Sequence, residues 1–254
     1  MRILFIGDIV GKYGLNYLKA KLPQLKSEYK PNLIIVNAEN TTNGKGLNQR
    51  DYKELMSLNI AALTMGNHTY RNSEINDFIE QSKIARPMNI LNQKGNGYVD
   101  INYNGKIITV VNLLGTIHMD TNYELANPFI TIDNFLKSHK SDYIIVDMHA
   151  EATSEKLAMA HFLDGRVDAV VGTHTHVQTN DATVLPNKTL YVTDLGMTGT
   201  VTGILGVRKE IIIDRFYNDG KEPFKLDESN VCGISGAILD LGLNPKIKLI
   251  HLEK

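Results

Sequence analysis

The sequence contains a single cysteine, Cys232, among its 254 residues. One cysteine excludes a disulfide within the chain, and it also excludes a structural zinc knuckle, which takes several cysteines as ligands. Such sparse use of cysteine is typical of proteins that stay in a reducing compartment. The absence therefore favours a cytoplasmic protein.

Long apolar runs are absent as well. Arg2 is followed only by the apolar run Ile3–Ile6 before Gly7 and Asp8 end it, whereas the apolar part of a secretion signal needs roughly 7–15 residues. No run approaches the roughly 18 residues that a membrane-spanning helix requires. We therefore expect neither a secretion signal nor a membrane segment, which again predicts a cytoplasmic location.

The chain also has no surplus of positive charge. It carries 27 Lys and Arg against 28 Asp and Glu, for a net charge of -1. This balance argues against long nucleic acid as a partner, because its binding rests on many cations that neutralise phosphates. Any charged substrate must instead be held by local features. With no internal repeat, low-complexity tract or linker, residues 1–254 are predicted to form a single domain.

Apolar runs rich in isoleucine and valine alternate with helical patterns. The predicted strands are residues 2–7, 33–36, 61–65, 98–103, 106–113, 143–147, 169–171, 189–193, 207–214, 236–241 and 247–252. Leucines 15, 18, 22 and 25 mark one face of a helix, in which Pro23 predicts a kink or a split. Asn104-Gly105 is typical of a two-residue hairpin turn. Runs that are apolar on both faces indicate sheets covered by helices, so we predict an α/β fold with two mixed sheets packed together.

Polar residues with metal-binding chemistry follow five of the apolar runs. They are Asp8; Glu39 and Asn40; Asn67 and His68; His149; and His174 and His176. The ends of strands are where open α/β sheets gather their functional sites. These groups suffice for two metal ions that share one bridging carboxylate, an arrangement used to cleave phosphate esters.

Each cluster alone allows a simpler interpretation. Asp8 would suit a turn or a helix cap, and a lone His149 would suit a structural role. His174 and His176 are the strongest local feature, because side chains two apart in an extended chain point the same way and two histidines with carboxylates suit borderline metals. The hypothesis rests on the five clusters together. The remaining histidines are predicted to be surface or core residues: His118, His139, His161 and His251.

These blocks, in this order, resemble the calcineurin-like metallophosphoesterase superfamily and, more narrowly, its bacterial YmdB-type branch. The match runs from Met1 to about Phe216 and is less distinct beyond it. It rests on Gly7–Gly11 (GDIVG), Val36–Asn40 (VNAEN), Gly66–His68 (GNH), His149–Lys156 (HAEATSEK), Gly172–Gln178 (GTHTHVQ) and Thr193–Gly199 (TDLGMTG).

The resemblance implies a four-layer α/β/β/α sandwich and a dinuclear-metal phosphodiesterase. The implied substrates are cyclic nucleotides, above all 2′,3′-cyclic nucleotides such as 2′,3′-cAMP. The implied cofactor is two metal ions per chain, with iron (Fe²⁺/Fe³⁺) suggested by the branch and manganese equally admitted by the ligand types. A homo-oligomer is suggested by the family alone.

The site roles are likewise transferred from the family, position by position. One metal ion would be bound by Asp8, Glu39, Asn40 and His176, and the other by Glu39, Asn67, His149 and His174. Glu39 would bridge the two ions, and a hydroxide between them would attack phosphorus. His68 would be the general acid that protonates the leaving ribose oxygen.

Three positions depart from the wider superfamily. Val10 stands where a metal-binding histidine is usual, Glu39 where the bridging residue is usually Asp, and Thr69 where an acidic residue usually follows the Asn-His pair. The first two are features of the narrower branch, in which Asn40 would replace the lost histidine ligand. Together the departures count against general phosphomonoesterase activity.

Other functions stay open at this point. The enzyme could act on another phosphoester, such as a 3′,5′-cyclic nucleotide or a short RNA end, which a substrate panel would separate. The chain could instead be a metal-binding regulatory scaffold with little turnover, although a general acid beside the metal ligands argues against that. A metal-free nucleotide-binding module would contain no metal when purified.

Overall fold

Residues 1–253, which the computed structural model describes, form two mixed β-sheets with helices on their outer faces. The α-helices are α1 (Gly11–Tyr29), α2 (Gln49–Ser57), α3 (Pro128–Ser138), α4 (Thr153–Leu163) and α5 (Lys209–Tyr217). Two short 3₁₀ helices, Ser73–Asp77 and Ile79–Gln81, follow the fourth strand. No helix among these residues is both long and apolar enough to cross a membrane.

The first sheet is built around four parallel strands. Its members are β1 (Arg2–Ile6), β2 (Asp8–Ile9), β3 (Leu33–Asn37), β4 (Ala62–Thr64), β5 (Ile84–Ala85), β12 (Met197–Thr200), β13 (Cys232–Asp240) and β14 (Lys246–Glu253). Strands β1, β3, β4 and β5 lie side by side in parallel. Strand β13 runs antiparallel to β1, β12 and β14, which makes the sheet mixed.

The second sheet also has a parallel centre. Its members are β6 (Tyr98–Tyr103), β7 (Lys106–Leu114), β8 (Tyr143–His149), β9 (Ala169–Thr173), β10 (Thr183–Val184) and β11 (Leu190–Val192). Strands β7, β8, β9 and β11 are parallel, and β6 and β10 add antiparallel edges. The β6–β7 hairpin turns at Asn104 and Gly105, which have φ values of 52° and 77°, as the Asn-Gly pair predicted.

Three apolar layers hold the sheets and helices together. Phe5 and Ile35 of the first sheet meet Val110 and Ile145 of the second between the two sheets. Leu4 and Ile6, which point to the other face of β1, pack with the leucines of α1 and α2. The outer face of the second sheet packs in the same way against Ile132 of α3 and Met159 and Leu163 of α4. The predicted four-layer α/β/β/α sandwich is confirmed, and burial of both strand faces explains the uninterrupted apolar runs.

Two local predictions need correction: the helix that contains Pro23 is not split, and one predicted strand is a helix. Helix α1 is continuous through Pro23, which lies on its exposed side; burial of the four leucines on the opposite side outweighs the roughly 3 kcal/mol that an internal proline costs. Residues 209–217 form α5 rather than a strand. Only Ile211 of its apolar residues is buried, and Glu210 in the first turn and Arg215 in the last suit the helix dipole. The single-domain assignment stays a prediction.

Candidate functional site

The five sequence clusters meet at one place, where the parallel strands of both sheets end. The first sheet contributes residues that follow β1, β3 and β4, and the second contributes residues at the ends of β8 and β9. The residues brought together are Asp8, Glu39, Asn40, Asn67, His68, His149, His174 and His176. Strands that run in parallel end at the same edge of a sheet, so residues far apart in sequence become neighbours here.

Glu39 lies at the centre of this group. Its Oε1 is 3.3 Å from His149 Nε2 and 3.3 Å from His68 Nδ1, and its Oε2 accepts a hydrogen bond from the His68 backbone N–H at 3.0 Å. Burial on its own would raise the pKa of Glu39, but the adjacent His149 and His68 hold that pKa well below its usual range. The site is thus built around an ionised carboxylate that is only 1% exposed.

One set of potential metal ligands lies close to Glu39 and consists of Asn67, His149 and His174. One ligand atom each from Glu39, His149 and His174 lies within 4.8 Å of the others. The Oδ1 of Asn67 is 3.2 Å from His149 Nε2, and the Nδ1 of His174 is 3.1 Å from the same atom. Burial and the neighbouring His149 lower the pKa of His174 to about 3. The His174 ring is therefore neutral at pH 7 and has a lone pair with which to bind a metal ion.

A second set of potential metal ligands consists of Asp8, Asn40 and His176. The Nε2 of His176 is 3.9 Å from Asp8 Oδ1 and 3.4 Å from Asn40 Nδ2. Its Nδ1 is 3.2 Å from the backbone oxygen of Leu205, and since a carbonyl only accepts, Nδ1 carries the proton. Burial lowers the pKa of His176. Its Nε2 lone pair consequently faces Asp8 and Asn40.

The residues present fit the metal ions that the family resemblance implies. Asp8 is fully buried, and its Oδ1 is a buried oxygen without a hydrogen-bond partner among residues 1–253; burial also raises the pKa of Asp8 well above its usual value. A cation beside Asp8 would satisfy that oxygen and favour the ionised carboxylate. A Cβ on Gly66 would lie 2.3 Å from both Glu39 Oε2 and His149 Nε2, so glycine leaves the donors accessible to each other. Carboxylate, amide and imidazole donors suit borderline divalent metals.

The premise that His174 and His176 point the same way is wrong. Both residues have positive φ, 104° and 63°, so the chain is not extended here. Thr175 between them is held by Asp194, because its backbone N–H and its hydroxyl both donate to Asp194 Oδ2, at 3.1 and 2.8 Å. With this turn, the His174 ring lies near His149 and the His176 ring lies near Asp8 and Asn40.

A buried network behind His149 was not predicted from the sequence. The Thr173 hydroxyl donates to Asp147 Oδ1 at 2.7 Å, and its oxygen lies 2.8 Å from His149 Nδ1. Because the one hydroxyl proton goes to Asp147, Thr173 accepts from His149 Nδ1–H, which directs Nε2 towards Glu39. Asp147, fully buried, also accepts from Thr64 Oγ1 at 2.5 Å and Asn37 Nδ2 at 3.1 Å. The sequence did offer one signal for this network. Asp147 is a carboxylate in an otherwise apolar strand, and it lies two positions before His149 and therefore on the same face.

Substitution of Thr173 tests this network. Thr173→Val keeps the shape of the side chain but removes the hydroxyl, so His149 loses the partner that orients its ring. We expect metal affinity to fall by roughly 10–100-fold, the usual cost of losing such an outer partner. Thr173→Ser, which retains the hydroxyl, serves as the control and should bind metal nearly as well as the wild type. Equal affinities for the valine and serine variants, measured by metal titration, would contradict the role.

A buried ion pair supports the turn that carries His174 and His176. Lys156 Nζ donates to Asp194 Oδ2 at 2.8 Å, and both side chains are fully buried. Asp194 also accepts from Gly196 N at 2.8 Å through Oδ1 and from Thr175 through Oδ2. Asp194 thus links α4 to the segment after β9, which contains Thr175, and to the segment after β11, which contains Gly196.

Removing the cation of this pair should be costly. In Lys156→Met the carboxylate of Asp194 stays buried without its charge partner, for which we expect a loss of about 3–5 kcal/mol in the free energy of unfolding. The measurement is urea denaturation. Lys137→Met is the matched control, because Lys137 forms an exposed pair with Asp133, and its loss should leave stability nearly unchanged. Similar stabilities for the two variants would show that the buried pair is not needed.

Known proteins closely resemble this chain. Residues 4–251 match the family described as YmdB-like protein. A 2′,3′-cyclic-nucleotide 2′-phosphodiesterase of Bacillus subtilis (strain 168) is 43% identical over 258 residues, covering 100% of this chain and 96% of that protein. A crystal structure of a Thermus thermophilus protein has a TM-score of 0.93 and 39% identity over 100% of both chains. A phosphatase structure from Mycoplasma pneumoniae has a TM-score of 0.94 and 34% identity, over 100% of this chain and 93% of that one.

These similarities extend over nearly the whole chain and include the strands that carry the site. They agree with the motifs at the strand ends and with the four-layer architecture. The chain therefore belongs to the YmdB-like protein family, the branch of the calcineurin-like metallophosphoesterases that its motifs resemble.

Proposed function

We propose that this protein is a dinuclear-metal phosphodiesterase that hydrolyses cyclic nucleotides, with 2′,3′-cyclic nucleotides such as 2′,3′-cAMP as its substrate class. The observation that carries the proposal is the convergence of two groups of potential metal ligands, with His68 beside Glu39. The expectation of an enzyme that cleaves phosphoric diesters is confirmed by the family and by the name of the 43% identical relative. The two-metal mechanism and the residue roles are proposals.

Each metal ion would take its ligands from one donor set. Asp8, Glu39, Asn40 and His176 would hold one ion. Glu39, Asn67, His149 and His174 would hold the other, with Glu39 shared. When bound, the pair would supply a hydrolytic nucleophile at neutral pH and stabilise the charge that develops on the phosphate oxygens.

The charges of the ligands favour an anionic substrate. Asp8 and Glu39 are the only carboxylates in the two proposed ligand sets, and an amide oxygen or an imidazole nitrogen binds a metal ion as a neutral group. Two divalent ions therefore leave the centre with a net charge of about +2 before water or substrate binds. A protein with an overall net charge of -1 can in this way attract a phosphodiester locally.

His68 is the residue placed to transfer a proton. It follows Asn67 directly, its side chain is 17% exposed, and its Nδ1 lies 3.3 Å from Glu39 Oε1 and 3.5 Å from Asn40 Oδ1. It therefore borders the metal centre without being buried among the ligands. We assign it the role of general acid, which gives its proton to the ribose oxygen that leaves phosphorus.

The test combines turnover with metal analysis on the same sample. We expect purified protein, reconstituted with iron or manganese, to contain about two metal ions per chain and to convert 2′,3′-cAMP to adenosine 3′-phosphate. Two ions without turnover of this or any other ester would favour a regulatory scaffold. Failure to bind either metal would show that the ligand assignment is wrong.

The same purified sample can be used to test the alternative substrates and the identity of the metal. A panel that includes 3′,5′-cyclic nucleotides and short RNA ends distinguishes the alternative phosphoester substrates. Iron is our proposed metal, with manganese as the alternative. The cytoplasmic location and the homo-oligomer stay predictions.

A further inference from the structure

A cavity of about 460 Å³ adjoins the candidate metal centre. It shares His176 with the centre and extends from there to the paired strands β13 and β14. Its volume lies in the range of roughly 300–1,000 Å³ that is usual for small-molecule sites. A group attached to a phosphate at the metal centre therefore has room to enter it past His176.

The walls of the cavity next to His176 are apolar and accessible. Val177, the next residue in the chain, is 59% exposed, and Leu205, whose carbonyl contacts His176, is 46% exposed. Met197 at the start of β12 adds a third apolar side chain. Apolar side chains in this position suit the faces of a planar ring such as a nucleobase, which is apolar on its faces and polar at its edge.

The far end of the cavity is polar. Ser235 on β13 lies opposite His251 on β14, and its Oγ is 3.1 Å from His251 Nδ1. His251 Nε2 donates to Glu253 Oε1 at 2.9 Å, because a carboxylate only accepts. One carboxylate has about four acceptor positions, so Glu253 keeps acceptor capacity for a ligand in the cavity. All three residues line it.

We propose that this cavity is the nucleoside subsite of the enzyme and that the His251–Glu253 pair binds the edge of the base. Glu253 accepts from an amino or ring N–H of the base, and His251 holds the carboxylate in place. The ribose spans the distance between the base and the phosphate at the metal centre. This inference rests on the proposed function and specifies where that function recognises the nucleoside.

The experiment compares a nucleotide with a matched substrate that lacks the base. His251→Ala and Glu253→Gln are assayed with 2′,3′-cAMP and with methyl riboside 2′,3′-cyclic phosphate. For the nucleotide we expect KM to rise by about 10-fold, as for the loss of roughly one hydrogen bond, with kcat unchanged. For the abasic substrate both constants should stay at wild-type values. His161→Ala, which alters an exposed histidine on α4, is the control.

The outcomes separate the subsite from the proposed function. Both substituted side chains are exposed on the last strand, and thermal unfolding verifies that the variants fold. Equal effects on the two substrates, or no effect on either, would overturn the subsite. If the wild type hydrolyses no cyclic nucleotide, binding of adenosine 3′-phosphate is measured by calorimetry instead. Binding that weakens in His251→Ala and Glu253→Gln but not in His161→Ala would support the subsite, and absence of binding to the wild type would overturn it.

Discussion

Replacing His68 by alanine is expected to lower turnover of 2′,3′-cAMP by roughly 10²–10⁴-fold, the usual range for general acid catalysis. The protein should keep its metal ions, because the two donor sets are completed without the His68 ring. The measurements are kcat and metal content on the same preparation. Unchanged turnover would show that the acid assignment is wrong.

The leaving group offers a sharper version of this experiment. A ribose oxygen leaves with difficulty unless it is protonated, whereas p-nitrophenolate leaves readily as an anion. If His68 supplies the proton, His68→Ala should lose much more activity on 2′,3′-cAMP than on bis(p-nitrophenyl) phosphate. Loss of activity to the same extent on both substrates would indicate that His68 positions the substrate or the metals and does not act as an acid. His161→Ala controls for the general effect of removing a histidine.

The position of the site could be predicted from the sequence because it follows from parallel strands. Asp8, Glu39 and Asn67 each follow a short apolar run, and parallel runs must end at one edge. The sandwich was predictable for a related reason, since strands that are apolar on both faces need cover on both sides. Both predictions depend only on patterns within short segments.

The features that could not be predicted depend on contacts between distant segments. Thr173 orients His149 only because β9 lies beside β8, and Asp147 is satisfied only because β3 and β4 of the other sheet bring Asn37 and Thr64 to it. The turn at Thr175 likewise depends on Asp194. Local preference also gave the wrong prediction for α5, where an isoleucine-rich segment with a single buried isoleucine forms a helix.

The second large effect is expected from Glu39→Gln. The substitution preserves the size of the side chain but removes the one carboxylate that both proposed metal positions share. We expect metal affinity at both positions to fall by more than the roughly 10–100-fold that loss of an outer partner costs. Metal content measured after dialysis should therefore drop well below that of the wild type, and hydrolysis should fall with it.

Asp8→Asn is the comparison that distinguishes a bridge from an ordinary ligand. Asp8 belongs to only one donor set, together with Asn40 and His176, so its substitution should empty one position and leave the other occupied. Glu39→Gln should empty both, because Glu39 is the one carboxylate that the two proposed ligand sets share. Retention of one ion in Glu39→Gln would make Glu39 a ligand of a single metal, and retention of two would exclude it as a bridge. The ratio of metal to chain in the two variants thus tests the feature on which the proposed mechanism depends most.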